Sequence, residues 1–206
     1  MKWIKDVLEC IEKVNLNENN RKFKSIIETP WGYEKSAPGV YKPSATNNGE
    51  TNWQRELYNN EPYWYDIELP IGQKYRQKQL GSLRVDLIGM KDGRPIICEL
   101  KYTEEPKSPF NAILQLLAYY CMVVNNAEKL DAQNIHHTNA RNSDFRWADI
   151  ANNPILMLKA NEKYWGNWTK STQSKKNIAA REIINICKKN GLEIQLYCEN
   201  NLILCD

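Results

Sequence analysis

The sequence predicts an α/β domain folded around a mixed sheet. Three observations predict it. Three strand-like runs follow one another closely between residues 65 and 102, and two of them are joined by an Asp-Gly turn signal. From residue 110 onward, apolar residues recur at helical spacing. Strand-like and helix-like runs then alternate towards the C-terminus. The predicted order is helix, three strands, helix, strand, helix and two strands.

Each element rests on its own residues. Trp3, Ile4, Val7, Leu8, Ile11 and Val14 share one face of an amphipathic helix over residues 3–14. Residues 28–52 carry Pro30, Gly32, Pro38, Gly39, Pro43 and Gly49, which is turn and loop chemistry. Residues 1–50 thus read as an N-terminal helix and loop extension, either packed on the main domain or a flexible arm. Residues 51–206 are the main domain. There a short helix over 51–59 is capped by Thr51 or Asn52. Residues 65–71 (YDIELPI) alternate as a strand ended by Pro70, and 83–89 (LRVDLIG) form a second strand. After the Asp92-Gly93 hairpin signal, residues 95–102 (PIICELKY) form a third, antiparallel to the second. Ser108 caps a long helix with Pro109 in its first turn, and Phe110, Ile113, Leu114, Leu117, Cys121 and Val124 make its buried stripe. Residues 154–160 form an apolar strand and 178–189 a helix stopped at Gly191. Residues 193–205 close the chain as a β-hairpin.

Composition sets the outer limits. With 206 residues, 42% hydrophobic and 26% charged, the chain has the balance of a globular domain. No apolar run reaches the length of a membrane span. Asp6, Glu9 and Glu12 interrupt the N-terminal apolar residues, so no signal peptide is expected and the expected location is the cytoplasm. The six cysteines, Cys10, Cys98, Cys121, Cys187, Cys198 and Cys205, include no CxxC pair, and His136 and His137 lie far from any paired cysteines. Structural zinc is therefore not expected, and any metal chemistry should use oxygen ligands.

Net charge is only +3, but it is unevenly spread. Lys159, Lys163, Lys170, Lys175, Lys176, Arg181, Lys188 and Lys189 face only Glu162 and Glu182 in their segment. Lys74, Arg76, Lys78 and Arg84 form a second basic cluster. Such segments follow phosphate backbones or form solvated surfaces. Within the first, Lys163, Trp165, Trp168, Lys170, Lys175 and Lys176 interleave rings and cations, as a nucleic-acid surface would. The same tryptophans could instead pack on the core.

The informative stretch is the second hairpin. Asp86 stands in an apolar strand between Val85 and Leu87, where a carboxylate is costly unless paired, hydrogen-bonded or metal-bound. Across the turn, strand periodicity puts Ile97, Glu99 and Lys101 on one face. Two carboxylates and an ammonium thus converge. That set suits Mg²⁺ (or Mn²⁺), which accepts one or two protein carboxylates and keeps water or phosphate as its other ligands. The Leu100 carbonyl lies between and is a further candidate ligand. Lys101 would orient the attacking water and stabilise developing charge. The competing structural reading is a salt bridge of Lys101 with both acids.

VDLIG followed by IICELKY resembles the core of the PD-(D/E)xK nuclease superfamily, with Val85 at the nominal proline position. The QLLAY that follows is similar to the QxxxY element of the RecB-like and Cas4-like branch, although that branch's upstream histidine is absent. The resemblance spans roughly residues 50–160. It implies a restriction-endonuclease-like αβββαβ core with a mixed central sheet. It also implies catalytic Asp86, Glu99 and Lys101, with Gln115 and Tyr119 flanking the site on the helix face away from the apolar stripe. Gln115 would bond the substrate or position Lys101, and Tyr119 would lie against the nucleic acid. Of the preceding helix's carboxylates, Glu56 is the best match for a metal ligand, and Glu50 or Glu61 are weaker ones. The implied activity is a Mg²⁺-dependent deoxyribonuclease of defence, repair or recombination. DNA is the expected substrate, RNA is not excluded, and homodimers are common among members. The alternative is a non-catalytic nucleic-acid-binding or protein-interaction module on a nuclease-like fold.

Overall fold

The computed structural model describes residues 1–16, 18, 23–24, 40, 49–71, 84–170 and 174–203. Helices α1 (Lys2–Lys13) and α2 (Gly49–Asn60) precede strands β1 (Trp64–Pro70), β2 (Arg84–Lys91) and β3 (Arg94–Lys101). Then come α3 (Phe110–Ala132), α4 (Trp147–Ile150) and β4 (Ile155–Ala160). A 3-10 turn over Glu162–Trp165 leads into α5 (Gly166–Lys170) and α6 (Lys175–Lys189), and the hairpin β5 (Ile194–Cys198) and β6 (Asn201–Ile203) follows. Leu83, Lys74, Arg76, Lys78, Cys205 and most of the Pro/Gly-rich 28–52 segment lie outside the described residues.

All six strands join one mixed sheet in sequence order, β1-β2-β3-β4-β5-β6. Strand β2 runs antiparallel to both β1 and β3, β3, β4 and β5 are parallel, and β6 turns back antiparallel. The parallel middle is covered on both faces, which is why ILMLKA is apolar but for Lys159 and has every residue buried. One core fills the space between the sheet and α1, α3, α4 and α6, taking Ile97, Leu156, Leu158 and Leu196 from the strands. The other lies under α2, where Leu57 meets Ile96, Cys98, Leu100 and Met157. The β2–β3 turn is a tight one. Asp92 (φ 53°) and Gly93 (φ 74°) both occupy the left-handed region, as a two-residue hairpin loop of matching twist requires.

Several boundaries differ from expectation. Helix α2 begins at Gly49, so Thr51 and Asn52 lie inside its first turn rather than at its cap. Helix α3 opens at Phe110, with Pro109 at the cap position and Ser108 Oγ accepting the Phe110 N–H at 3.4 Å. It runs on to Ala132, well past Val124, which is only half-buried. It is also more enclosed than a one-sided stripe predicts, because Ala112, Leu116, Ala118 and Val123 are buried as well. Neighbours on several sides remove the polar face. Helix α1 is part of the main core, with Trp3, Val7 and Ile11 buried and the Cys10 thiol donating to the Ala179 carbonyl of α6 at 3.8 Å.

Two buried polar clusters tie distant segments together. Asp66 of β1 accepts the backbone N–H groups of Ile67 and His137, each at 2.7 Å, and lies 2.8 Å from His137 Nδ1. This fixes the chain after α3 against the sheet. Lys159, only 2% exposed, reaches Glu61 at 3.1 Å, and Glu61 Oε2 also accepts from the Trp64 indole at 2.7 Å and from the Tyr63 hydroxyl.

Candidate active site

Asp86 on β2 and Glu99 and Lys101 on β3 come together because of register and alternation. Leu87 pairs with Cys98 and Ile88 with Ile97, so one further step sets Asp86 opposite Glu99. Ile97 belongs to the core beneath α3 and Ile96, Cys98 and Leu100 to the core beneath α2, which places Glu99 on the α3 side. The alternation of β2 slips at Asp86. Val85 and Ile88 both join the α3-side core although they are an odd number of residues apart. The partner strand slips in the same place: Ile67 lies beneath α2 and Leu69 beneath α3. Between them, Glu68 adopts φ 52°, a left-handed conformation unusual for a non-glycine residue.

The slip leaves Asp86 partly open to a cavity of about 260 Å³ lined by Glu50, Thr51, Gln54, Glu68, Arg84 and Asp86 itself. Its surroundings hold it firmly. Asp86 Oδ2 accepts the Leu100 N–H at 2.7 Å, and Gln54 Nε2 donates to the Asp86 carbonyl at 2.8 Å. Glu50 Oε2 accepts the Tyr102 N–H at 2.9 Å, which anchors the start of α2 to the end of β3.

Glu99 is fully buried. Its Oε1 accepts from Lys101 Nζ, which also donates to the Leu100 carbonyl at 2.8 Å. Its Oε2 is buried and makes no hydrogen bond of good geometry among the described residues, although the Tyr119 hydroxyl and Asp86 lie against the same carboxyl. Burial pushes the Glu99 carboxyl above the usual carboxylate range, with Lys101 opposing incompletely. Burial followed by the Glu99 charge drives Asp86 well above its ordinary value. For Lys101, burial acts downward, but Glu99, Asp86 and Glu50 together outweigh it and raise its value. One ammonium therefore serves a carboxylate pair that it does not neutralise.

Such a donor set fits a divalent cation. Asp86, held by the Leu100 N–H, and Glu99, held by Lys101, offer carboxylate oxygens of the kind such a cation accepts, and a second positive charge would offset the Glu99 charge that Asp86 feels. The Leu100 carbonyl adjoins them, at present taken by Lys101. Among the described residues, no three His, Cys, Asp or Glu side chains gather as a self-sufficient cage. Water and phosphate would complete the coordination.

The remaining sequence-predicted residues fall differently. Gln115 Nε2 donates to the Tyr119 hydroxyl, and Tyr119 lies beside Glu99. Yet Tyr119 is only 1% exposed, so it supports the site from beneath and offers no surface to a nucleic acid. Glu56 is exposed and does not line the cavity. In α2 the inward positions are Glu50, Gln54 and Leu57, and helical phase turns Glu56 to solvent. Trp165 and Trp168 are 3% and 2% exposed. The Trp165 indole donates to the Tyr197 carbonyl at 3.1 Å, and the Arg181 guanidinium lies 4.2 Å from the Trp168 ring centre. These rings are core, not a stacking surface.

The basic segment is similarly divided. Lys159 is buried against Glu61 and Lys163 pairs with Glu104, while Lys175 and Lys176 are exposed at the start of α6. The side chain of Lys170 lies outside the described residues. Sequence reasoning missed Gln54 and Glu68 as cavity-lining residues, and Glu50, the weaker candidate beside Glu56, lines the cavity as well. The i, i+4, i+7 spacing of Glu50, Gln54 and Leu57 was the available signal for two of them. Nothing in the sequence marks the Glu68 backbone.

No protein-family model, curated protein or solved structure matches the chain. No helix among the described residues is long and apolar enough to cross a membrane.

Proposed function

We propose that the chain is a metal-dependent phosphodiesterase acting on DNA, built on a restriction-endonuclease-like core of the PD-(D/E)xK type. The observation that carries this reading is the convergence of the buried Glu99 carboxylate, which Lys101 and the neighbouring Tyr119 only partly satisfy, with the cavity-facing Asp86 on a single ammonium. A purely structural ion pair would not need two carboxylates at such depth beside one ammonium, since uncompensated buried charge is costly. The succession α2-β1-β2-β3-α3-β4 is also the αβββαβ order of that core.

Asp86, Glu99 and the Leu100 carbonyl would hold Mg²⁺ or Mn²⁺. When bound, the ion polarises the scissile phosphate and lowers the pKa of a water ligand. The chain's own groups perform the rest. Lys101 Nζ exchanges its bond to the Leu100 carbonyl for the attacking water, and its charge offsets the negative charge gathering on the phosphoryl oxygens. Gln54 and the Leu100 N–H keep Asp86 aimed while this happens. Tyr119 and Gln115 close the protein side of Glu99 and exclude water there.

The test is cleavage of supercoiled and linear DNA, with RNA in parallel, in Mg²⁺ or Mn²⁺, by wild type, Lys101→Ala and Asp86→Ala. Metal-dependent cleavage lost in both variants is the expected result. No cleavage by folded wild type, together with no heat of metal binding, would replace this reading with a non-catalytic binding module.

A further inference from the structure

Tyr102 follows Lys101 directly, after the end of β3, and among the described residues is one of few large apolar side chains left exposed, at 42%. Its position is nevertheless well determined. Its backbone N–H is tied to Glu50, its ring meets the Trp53 ring at 6.3 Å between centres with a 57° tilt, and it lies over Gly49. Any side chain at Gly49 would collide with it, because a Cβ there would come within 2.6 Å of Tyr102 Cε1. The ring is thus supported from α2 while much of it remains open to solvent. Lys163, which pairs with Glu104, is the cation near it. Lys101, the preceding residue, projects to the other strand face beside Glu99, but Glu50, which accepts the Tyr102 N–H, lines the cavity that Asp86 faces. The Lys163–Glu104 pair is itself exposed, at 61% and 66%, so a phosphate could displace its carboxylate at little cost.

We propose that Tyr102, backed by Trp53 and Gly49, is a stacking platform for an unpaired nucleobase adjoining the phosphate that Lys101 addresses. An aromatic face beside cations is the surface that binds single strands, where the ring takes a base and the cations take the backbone. A base within a duplex has both faces occupied by its neighbours and cannot use such a ring. The substrate class at this position is therefore a single-stranded or frayed nucleic acid. This rests on the phosphodiesterase reading above, since that reading places the phosphate.

The experiment measures anisotropy of short fluorescent single-stranded DNA and RNA oligonucleotides on full-length Lys101→Ala protein, with a blunt duplex as competitor. Adding Tyr102→Leu, which keeps apolar cover over Trp53 but removes the π face, should weaken single-strand binding by about tenfold. Tyr102→Phe should not. One abasic position in the oligonucleotide should reproduce that loss on the Tyr102 protein and add nothing on the Tyr102→Leu protein. Equal single-strand affinity for Tyr102 and Tyr102→Leu, a loss that Tyr102→Phe shares, or additive abasic and Leu effects would each overturn the platform. The cleavage assay of wild type reports separately. Binding that depends on Tyr102 without any cleavage would sink the catalytic reading alone, and cleavage without Tyr102 dependence would sink the platform alone.

Discussion

Magnesium should stabilise the folded protein, and more strongly as the pH rises. Burial, and for Asp86 also the Glu99 charge, holds the folded pKa values of Asp86 and Glu99 above those of the unfolded chain. Where the folded state keeps a proton that the unfolded state has released, stability falls with rising pH. The contribution of these carboxyls is therefore fully present below the unfolded carboxylate range near about 4, and is lost as pH rises through their folded values. A cation that binds the deprotonated pair competes with those protons and restores what is lost. At a concentration ten times its Kd, it contributes about 1.4 kcal/mol. For a chain of this length that corresponds to a Tm increase of roughly 3–6 °C. The assay is a thermal melt against MgCl₂ at about pH 5 and about pH 8, with NaCl matching ionic strength, for wild type, Asp86→Asn and Glu99→Gln. The wild type should shift at the higher pH and much less at the lower, and the variants at neither. A shift equal in all three proteins would place the ion elsewhere, and no shift in wild type at any concentration would refute the fit of the donor set.

Other outcomes follow from the same geometry. Lys159→Ala should destabilise by about 3–5 kcal/mol in urea melts, because Glu61 is left half-buried without its ammonium, and a neutral result would mean the pair is open in solution. Glu61 itself should lend acid-sensitive stability. Burial acts upward on it, but Tyr63, Trp64 and Lys159 together lower its value, so its contribution is present above the unfolded carboxylate range and is lost as pH falls through the folded one. A Glu61→Gln protein should show a flatter acid limb, and an unchanged limb would refute this assignment. Trp168→Ala should cost about 3–5 kcal/mol with nucleic-acid affinity retained in the folded fraction, whereas an affinity loss at unchanged stability would restore it as a surface reader. Glu68→Gly should stabilise by about 1 kcal/mol, since glycine adopts φ 52° without strain, and a destabilised variant would show that the Glu68 side chain holds the strand slip in place.

Much of the fold was legible because its signals were local. The Asp92-Gly93 turn, the apolar run of β4 and the spacing of α3 each decide their own element. The core of the candidate site was legible for the same reason: Asp86, Glu99 and Lys101 are joined by that one turn, and strand periodicity alone aligns them. What failed depended on distant partners. Trp165 and Trp168 sit among lysines in the chain, and only their packing against Tyr197 and Arg181 shows them to be core. Lys159 looks like a surface cation until Glu61 arrives from almost a hundred positions earlier. Helix α2 begins at Gly49, two residues before its expected start, so Glu50 lies inside the helix and its phase turns it inward while Glu56 faces solvent. The left-handed backbone at Glu68 is a conformational choice imposed by two strands slipping together, and residue type does not announce it.

Spatial neighbours in the sheet are also chain neighbours throughout, with no strand inserted between earlier ones. During synthesis the sheet can therefore grow outward from β1 one strand at a time, never reopening a finished pairing. The hairpin bearing Asp86 and Glu99 is complete as soon as β3 emerges, yet its outer edge must wait for β4 until all 23 residues of α3 and the segment after it have been made. For that interval a nascent chain exposes the unpaired edge of an apolar strand, the configuration most prone to pairing with another copy. Ribosome-bound chains arrested between α3 and β4 are thus the stage at which chaperone engagement should peak.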